Sequence, residues 1–346
     1  VPVPCQRLAR AVLLAATTLA FDAGEALAQK TDVVVLVNGD TLTCEIKLLD
    51  RGRLQVSTDH LGTVNIEWDK VVSVTSSRIF RVETATGLRL LGRLATSEAA
   101  HLDVVQETGT VSVSQPDVVS IVPIGRSFWS RVDGGVNVGL SYTQSSGIAQ
   151  LNVGANALHR RPNGQLTMSY SSFFTADADG ENTSRHAADI GLARYVLTRS
   201  VWLLQGGGMR NQELGYDFRG TLSGGIGRFL VHSNRAIFVL GGGLSTSTET
   251  SVEGNTTQQL EALVVLRQSY FTYDSPKTDI ATSINLYPSL SDWGRVRIEF
   301  DGRINREIVK DFTIGFSLYD SYDSRPPTEG ARKNDVGLSL TLGWTF

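Results

Sequence analysis

Arg297, Glu299, Asp301 and Arg303 occupy every second position of one stretch, and Val296, Ile298, Phe300 and Ile304 alternate with them. On a strand, such spacing sends the charged set to one face and the apolar set to the other. Glu261 and Arg267 alternate in the same way with Leu260, Ala262, Val264 and Leu266, and Arg131 and Asp133 flank Val132. Charges on an enclosed face must be solvated or paired. Their chemistry is then either selection of solutes by a water-filled lumen or an ion-pair network that fills it. The two signs are mixed, which favours pairing.

Other chemistry is thinner. None of the five histidines, His60, His101, His159, His186 and His232, alternates with a serine on one strand face. His232-Ser233-Asn234 has the residue types of a nucleophile and its base, but consecutive residues share no side-chain direction. Asp177, Asp179 and Glu181 supply oxygen ligands for Ca²⁺ on paper, but their spacing departs from an EF-hand and the loop reads as solvated. Gly206-Gly207-Gly208 and Gly241-Gly242-Gly243 precede no helix, so they are not phosphate loops. The expectation is a chain without catalytic residues, cofactor or metal.

The elements that would carry the charged rows are strands. The 346 residues carry 32 Lys+Arg against 35 Asp+Glu, too balanced to hold nucleic acid. Only 19% are charged and 34 are Gly, which suits a β protein with one polar side per strand. Residues 1–28 read as a signal peptide, with Arg7 and Arg10 ahead of the apolar Ala11 to Phe21 and a small-x-small motif at Ala26-Leu27-Ala28. No later stretch is long and apolar enough for a spanning helix. Cys5 would leave with the signal, so Cys44 would have no disulfide partner and reads as a buried small residue.

Residues 29–125 form a first region with a weak internal repeat. Asn38-Gly39-Asp40-Thr41-Leu42 and Val71-Val72-Ser73-Val74 bound one copy; Thr86-Gly87-Leu88-Arg89-Leu90 and Val118-Val119-Ser120-Ile121 bound the other. Short alternating strands broken by Gly turns predict small, strongly bent β-barrels or β-rolls, which resemble the Sm-like fold. Residues 126–346 form the second region. Twelve alternating segments are predicted there: 130–143, 148–159, 164–174, 185–196, 200–211, 217–231, 236–247, 257–272, 278–287, 294–305, 311–322 and 334–346. The even count, the alternation of short with longer connections, and aromatics such as Tyr142, Trp202, Tyr270 and Trp344 near segment ends predict a twelve-stranded antiparallel transmembrane β-barrel. A soluble β-sandwich is the competing fold, and it would turn the apolar set inward.

Trp129 to Gln144 (WSRVDGGVNVGLSYTQ), Leu214 to Phe229 (LGYDFRGTLSGGIGRF), Asn285-Leu286-Tyr287-Pro288-Ser289-Leu290-Ser291 and Lys333 to Phe346 (KNDVGLSLTLGWTF) give this region a resemblance to the salt-induced outer-membrane protein family of Gram-negative bacteria, whose function is uncharacterised. The terminal Phe346 resembles the assembly signal of outer-membrane proteins. The resemblance implies residence in the cell outer membrane, contact with its lipid and with the barrel-assembly machinery, and residues 29–125 in the periplasm.

The expected function is structural or small-solute passage by a monomer, with Arg131, Asp133, Glu261, Arg267, Arg297, Glu299, Asp301 and Arg303 lining the lumen. Two alternatives stand beside it. One is a surface enzyme that modifies lipid. The other is a membrane anchor whose amino-terminal module binds a periplasmic partner.

Overall fold

The computed structural model describes residues 30–98, 100–125, 128, 131–143, 147–177, 182–211, 216–251, 254–325 and 333–345. The expected signal peptide with Cys5, and Trp129, Asp179, Glu181 and Phe346, lie outside the described residues. The protein is all-β, with two 3₁₀ turns and no α-helix among the described residues.

Nine strands build the amino-terminal module: β1 (Asp32–Leu36), β2 (Thr41–Asp50), β3 (Arg53–Ser57), β4 (Thr63–Glu67), β5 (Val71–Thr84), β6 (Arg89–Ala95), β7 (His101–Gln106), β8 (Gly109–Ser114) and β9 (Val118–Pro123). The 3₁₀ turns Trp68–Lys70 and Gln115–Asp117 precede β5 and β9. The internal repeat is plain in this order. Each copy has a hairpin, a second hairpin, a 3₁₀ turn and a closing strand, and the long β5 closes the first copy and opens the second.

The copies do not each close a barrel. β1 pairs β2 and β5, and β9 pairs both β2 and β5, so β1, β2, β9 and β5 form one four-strand ring with strands from both copies. The exchange is reciprocal. Leu49 of the first copy faces Ile121 of the second, and Leu94 of the second faces Ser76 at the end of the first. A single core therefore runs through both copies, with Val34, Cys44, Ile46, Leu49, Leu54, Phe80, Leu94, Leu102, Val104 and Ile121 buried. The two 3₁₀ turns meet as well. The Trp68 indole N–H donates to Gln115 O at 2.8 Å, and the Gln115 amide donates to Val71 O at 2.5 Å.

The second region is a twelve-stranded antiparallel sheet in strict sequence order: β10 (Val132–Thr143), β11 (Ile148–Arg161), β12 (Gly164–Ala176), β13 (Thr183–Leu197), β14 (Ser200–Asn211), β15 (Tyr216–His232), β16 (Ala236–Ser251), β17 (Thr256–Thr272), β18 (Thr278–Pro288), β19 (Val296–Val309), β20 (Phe312–Asp323) and β21 (Asn334–Trp344). All twelve predicted segments are strands, with ends shifted by a few residues. Connections alternate between two to five residues at one end and four to ten at the other.

The sheet curls without sealing. No ladder joins β10 to β21 among the described residues, so hydrogen-bonded closure is not part of this structure, and the expectation of a closed barrel is corrected to an open, curled sheet. Alternation along a strand fixes which side chains share a face, but it does not specify the partner of an end strand.

Candidate functional site

Curling gives the sheet an inner and an outer face. The inner face of β13 to β19 encloses a cavity of about 350 Å³ in the half of the sheet nearer the longer loops. Its charged lining is Asp189, Arg219, Glu261, Arg297 and Glu299, joined by the hydroxyls of Thr221, Ser223, Ser245 and Ser247. Glu261 is 2% exposed. Arg297 reaches it from two strands away, donating Nε to Oε1 at 2.8 Å and Nη2 to Oε2 at 2.7 Å. This two-pronged geometry is the strongest form of a carboxylate pair. Arg297 also lies over the Tyr287 ring at 4.7 Å, and the Tyr287 hydroxyl donates to Glu299 Oε2 at 3.1 Å. Arg219 is held by Glu249 at 3.1 Å.

The eight predicted lumen residues separate into three groups, and Arg131 lies just ahead of β10 rather than on a strand. Glu261, Arg297 and Glu299 line the cavity. Arg267, Asp301 and Arg303 lie on the same strands nearer the short turns and outside its lining, where Arg303 approaches Asp279 at 3.7 Å. Arg131 and Asp133 line a second cavity of about 770 Å³ between the module and the start of the sheet, with Glu45, Lys47, Arg78 and Arg160. Asp133 is ion-paired there with Arg160, and Arg131 Nε donates to Gly125 O at 2.6 Å.

The outer face is apolar and bare. Val138, Leu140, Ile190, Trp202, Leu204, Leu222, Leu240, Leu244, Leu338 and Leu340 are all exposed on it. Directly opposed pairs such as Val138 with Val153, Leu140 with Leu151 and Leu151 with Phe174 make the surface continuous across strands. An exposed apolar surface of this extent marks contact with something other than water. On β13 it is bounded by His186 and Arg194, eight residues apart, or about 26 Å along a strand.

Sequence reasoning did not anticipate that the module docks onto the short-turn end of the sheet. Four of the five short turns receive it. Arg81 Nη1 donates to Arg161 O at 3.0 Å in the first, and Arg199 Nη2 in the second donates to Ala85 O at 2.8 Å. In the third, Asn234 Nδ2 donates to Val118 O at 2.9 Å. In the fourth, the Tyr273 hydroxyl donates to Arg51 O at 2.8 Å, and Arg53 lies over the Tyr273 ring at 3.5 Å. The β2–β3 turn makes the deepest contact: Arg51 pairs with Asp279 at 2.5 Å and lies over the buried Phe271 ring at 4.5 Å. Gly52 in that turn has a φ of +68°, and a Cβ there would lie 2.5 Å from Asn234 O. A side chain would therefore be both strained and in collision.

A second feature was missed because its members come from different strands. Ser172 of β12 lies opposite His186 of β13 on the outer face, with Oγ and Nδ1 2.9 Å apart. Glu67, Asp69 and Asp274 gather where the module meets the fourth turn, but Lys70 lies 3.5 Å from Asp69 and 3.8 Å from Asp274 and supplies local positive charge.

A curled, sequential antiparallel sheet with a charged inner face, an apolar outer face and a β module on its short-turn end defines the class of protein. The chain belongs to the family described as "Protein of unknown function, DUF481", whose model matches residues 136–346. No curated protein and no solved structure matches the chain.

Proposed function

We propose that this chain is an outer-membrane β-barrel protein that handles small polar solutes, with its amino-terminal module on the periplasmic side. The observation that carries the reading is the contrast between the two faces of one sheet. Leu222 and Leu240 are exposed on the outside, while Thr221, Ser245, Glu261 and Arg297 enclose a polar space inside. Backbone polar groups inside a bilayer must be satisfied internally, which antiparallel ladders achieve once the sheet closes. Lipid would cover the outer face, and seam pairing between β10 and β21 would complete the barrel.

The docked module supports a further element of this reading. Strands that end in short turns conventionally do so on the periplasmic side, and the module sits on those turns as a cap over the lumen. Passage then requires the cap to shift. Planar-bilayer recording tests this. The full chain should conduct weakly, and Arg51→Ala, which loosens the cap, should conduct more. Absence of conductance in both would reject passage and leave a structural, capped barrel.

The Ser172–His186 contact favours a second reading, a lipid-acting enzyme, because the pair faces outward. Phospholipid hydrolysis that disappears in Ser172→Ala would support it, and absence of hydrolysis by the unaltered protein would remove it.

A further inference from the structure

We propose that the inner cavity is a binding site for a small linear polyamine. The inference deepens the reading of the inner face as a solute-handling lumen and rests on it. Three carboxylates, Asp189, Glu261 and Glu299, line the cavity against two guanidinium groups, Arg219 and Arg297. Both cations are already engaged, Arg297 by Glu261 through two hydrogen bonds and Arg219 by Glu249 at 3.1 Å. The balance leaves Asp189 and Glu299 as excess negative charge.

These two carboxylates sit six strands apart, on β13 and β19, at the two ends of the cavity wall. Among the described residues Glu299 accepts hydrogen bonds from the Tyr287 hydroxyl at 3.1 Å and the Asn285 amide at 3.3 Å, both at Oε2, which leaves Oε1 available to a ligand. Asp189 lies across the space that Gly207 vacates: a Cβ on Gly207 would come within 2.5 Å of Asp189 Oδ1.

A separate observation points to a ligand at this place. Ser247 is 5% exposed and lines the cavity, and its Oγ is buried without a hydrogen-bond partner among the described residues. A buried hydroxyl left unpaired costs free energy that a ligand donor or acceptor would recover. Between the polar groups, Ala187 and Met209 face each other beside Asp189 and offer an aliphatic surface. Carboxylates separated by hydroxyls and an aliphatic strip match ammonium groups separated by methylenes. The volume suits a ligand of that size rather than a single bare ion.

Titration calorimetry on the full chain in detergent at low ionic strength tests the inference, with spermidine as the probe and glutarate as the anionic control. Saturable spermidine binding is expected, about tenfold weaker in Asp189→Asn and in Glu299→Gln, and weakened by added salt, because the pairing is electrostatic. Gly207→Ala should weaken it too, by displacing the Asp189 carboxylate without removing its charge. Glu299→Gln is isosteric, and an unchanged melting temperature in each variant separates lost binding from lost fold.

No saturable spermidine binding, equal binding in all three variants, or glutarate binding as tight as spermidine would overturn the inference. Binding without conductance would retain the site and reject passage. Conductance without spermidine binding would do the reverse.

Discussion

Arg51 of the module and Asp279 of the sheet are 228 residues apart in sequence and form an ion pair at 2.5 Å. Arg51 sits at the tip of the β2–β3 hairpin with a φ of +50°, so the turn itself aims the guanidinium into the end of the curled sheet. There it covers Phe271 as well as meeting Asp279, and Asp279 in turn faces Arg303. One side chain thus ties the cap to the inner face.

Removing that link should loosen the cap without unfolding either part. Both side chains are about one-third exposed, so the pair is worth about 1 kcal/mol after screening. Hydrogen exchange should quicken in the β2–β3 turn and around residues 273–279 in Arg51→Ala and Asp279→Asn alike. The double variant should fall short of the sum of the two. Strict additivity would mean that the contact does not couple the module to the sheet.

The Glu261–Arg297 pair should behave differently because Glu261 is buried. Replacing one partner leaves the other charge unmatched, so Arg297→Met should destabilise the chain by about 3 kcal/mol, and adding Glu261→Gln should recover part of the loss. Thermal unfolding in detergent is the measurement. A double variant less stable than Arg297→Met would contradict the pairing.

Burial, followed by the nearby Asp32 carboxylate, raises the Cys44 thiol to about 11. The reactive thiolate is therefore scarce at neutral pH. Iodoacetamide should leave Cys44 unmodified in the folded protein and alkylate it rapidly in denaturant. Fast alkylation of the folded chain would show that the module core is not closed.

Asp103 in the module is held below the usual aspartate value of 3.8 by hydrogen bonds from the Ser97 and Ser112 side chains. A carboxylate with a lowered folded-state pKa contributes stability that is complete above its unfolded pKa and is lost as pH falls through the folded value. The module should thus lose stability on acidification below about pH 4, and Asp103→Asn should flatten that loss. Denaturant midpoints measured across this range provide the check, and equal slopes for the two proteins would contradict it.

The strands of the sheet were legible in the sequence because period-two alternation is local. Val336, Leu338, Leu340 and Leu342 declare their face without reference to any other strand. The internal repeat was legible for the same reason, but its closure was not: Leu49 against Ile121 is a long-range pairing between two similar copies. The charged rows were recognisable as a set, whereas their separation into two cavities and a third group outside both depends on where the module docks. That docking uses backbone acceptors, such as Ala85 O and Val118 O, whose positions no residue type announces. Ser172 and His186 are 14 positions apart in sequence and meet only through the cross-strand register, which no local spacing announces.

In the proposed barrel the outer face of the sheet meets lipid and the inner face does not. Cysteines carrying a bimane label at Leu222, Leu240, Thr221 and Ser245, in a Cys44→Ala background and reconstituted into bilayers of brominated phospholipid, test it most directly. Strong quenching is expected at Leu222 and Leu240, and little at Thr221 and Ser245. Equal quenching at neighbouring positions 221 and 222, or a chain that stays soluble and monodisperse without detergent, would contradict it.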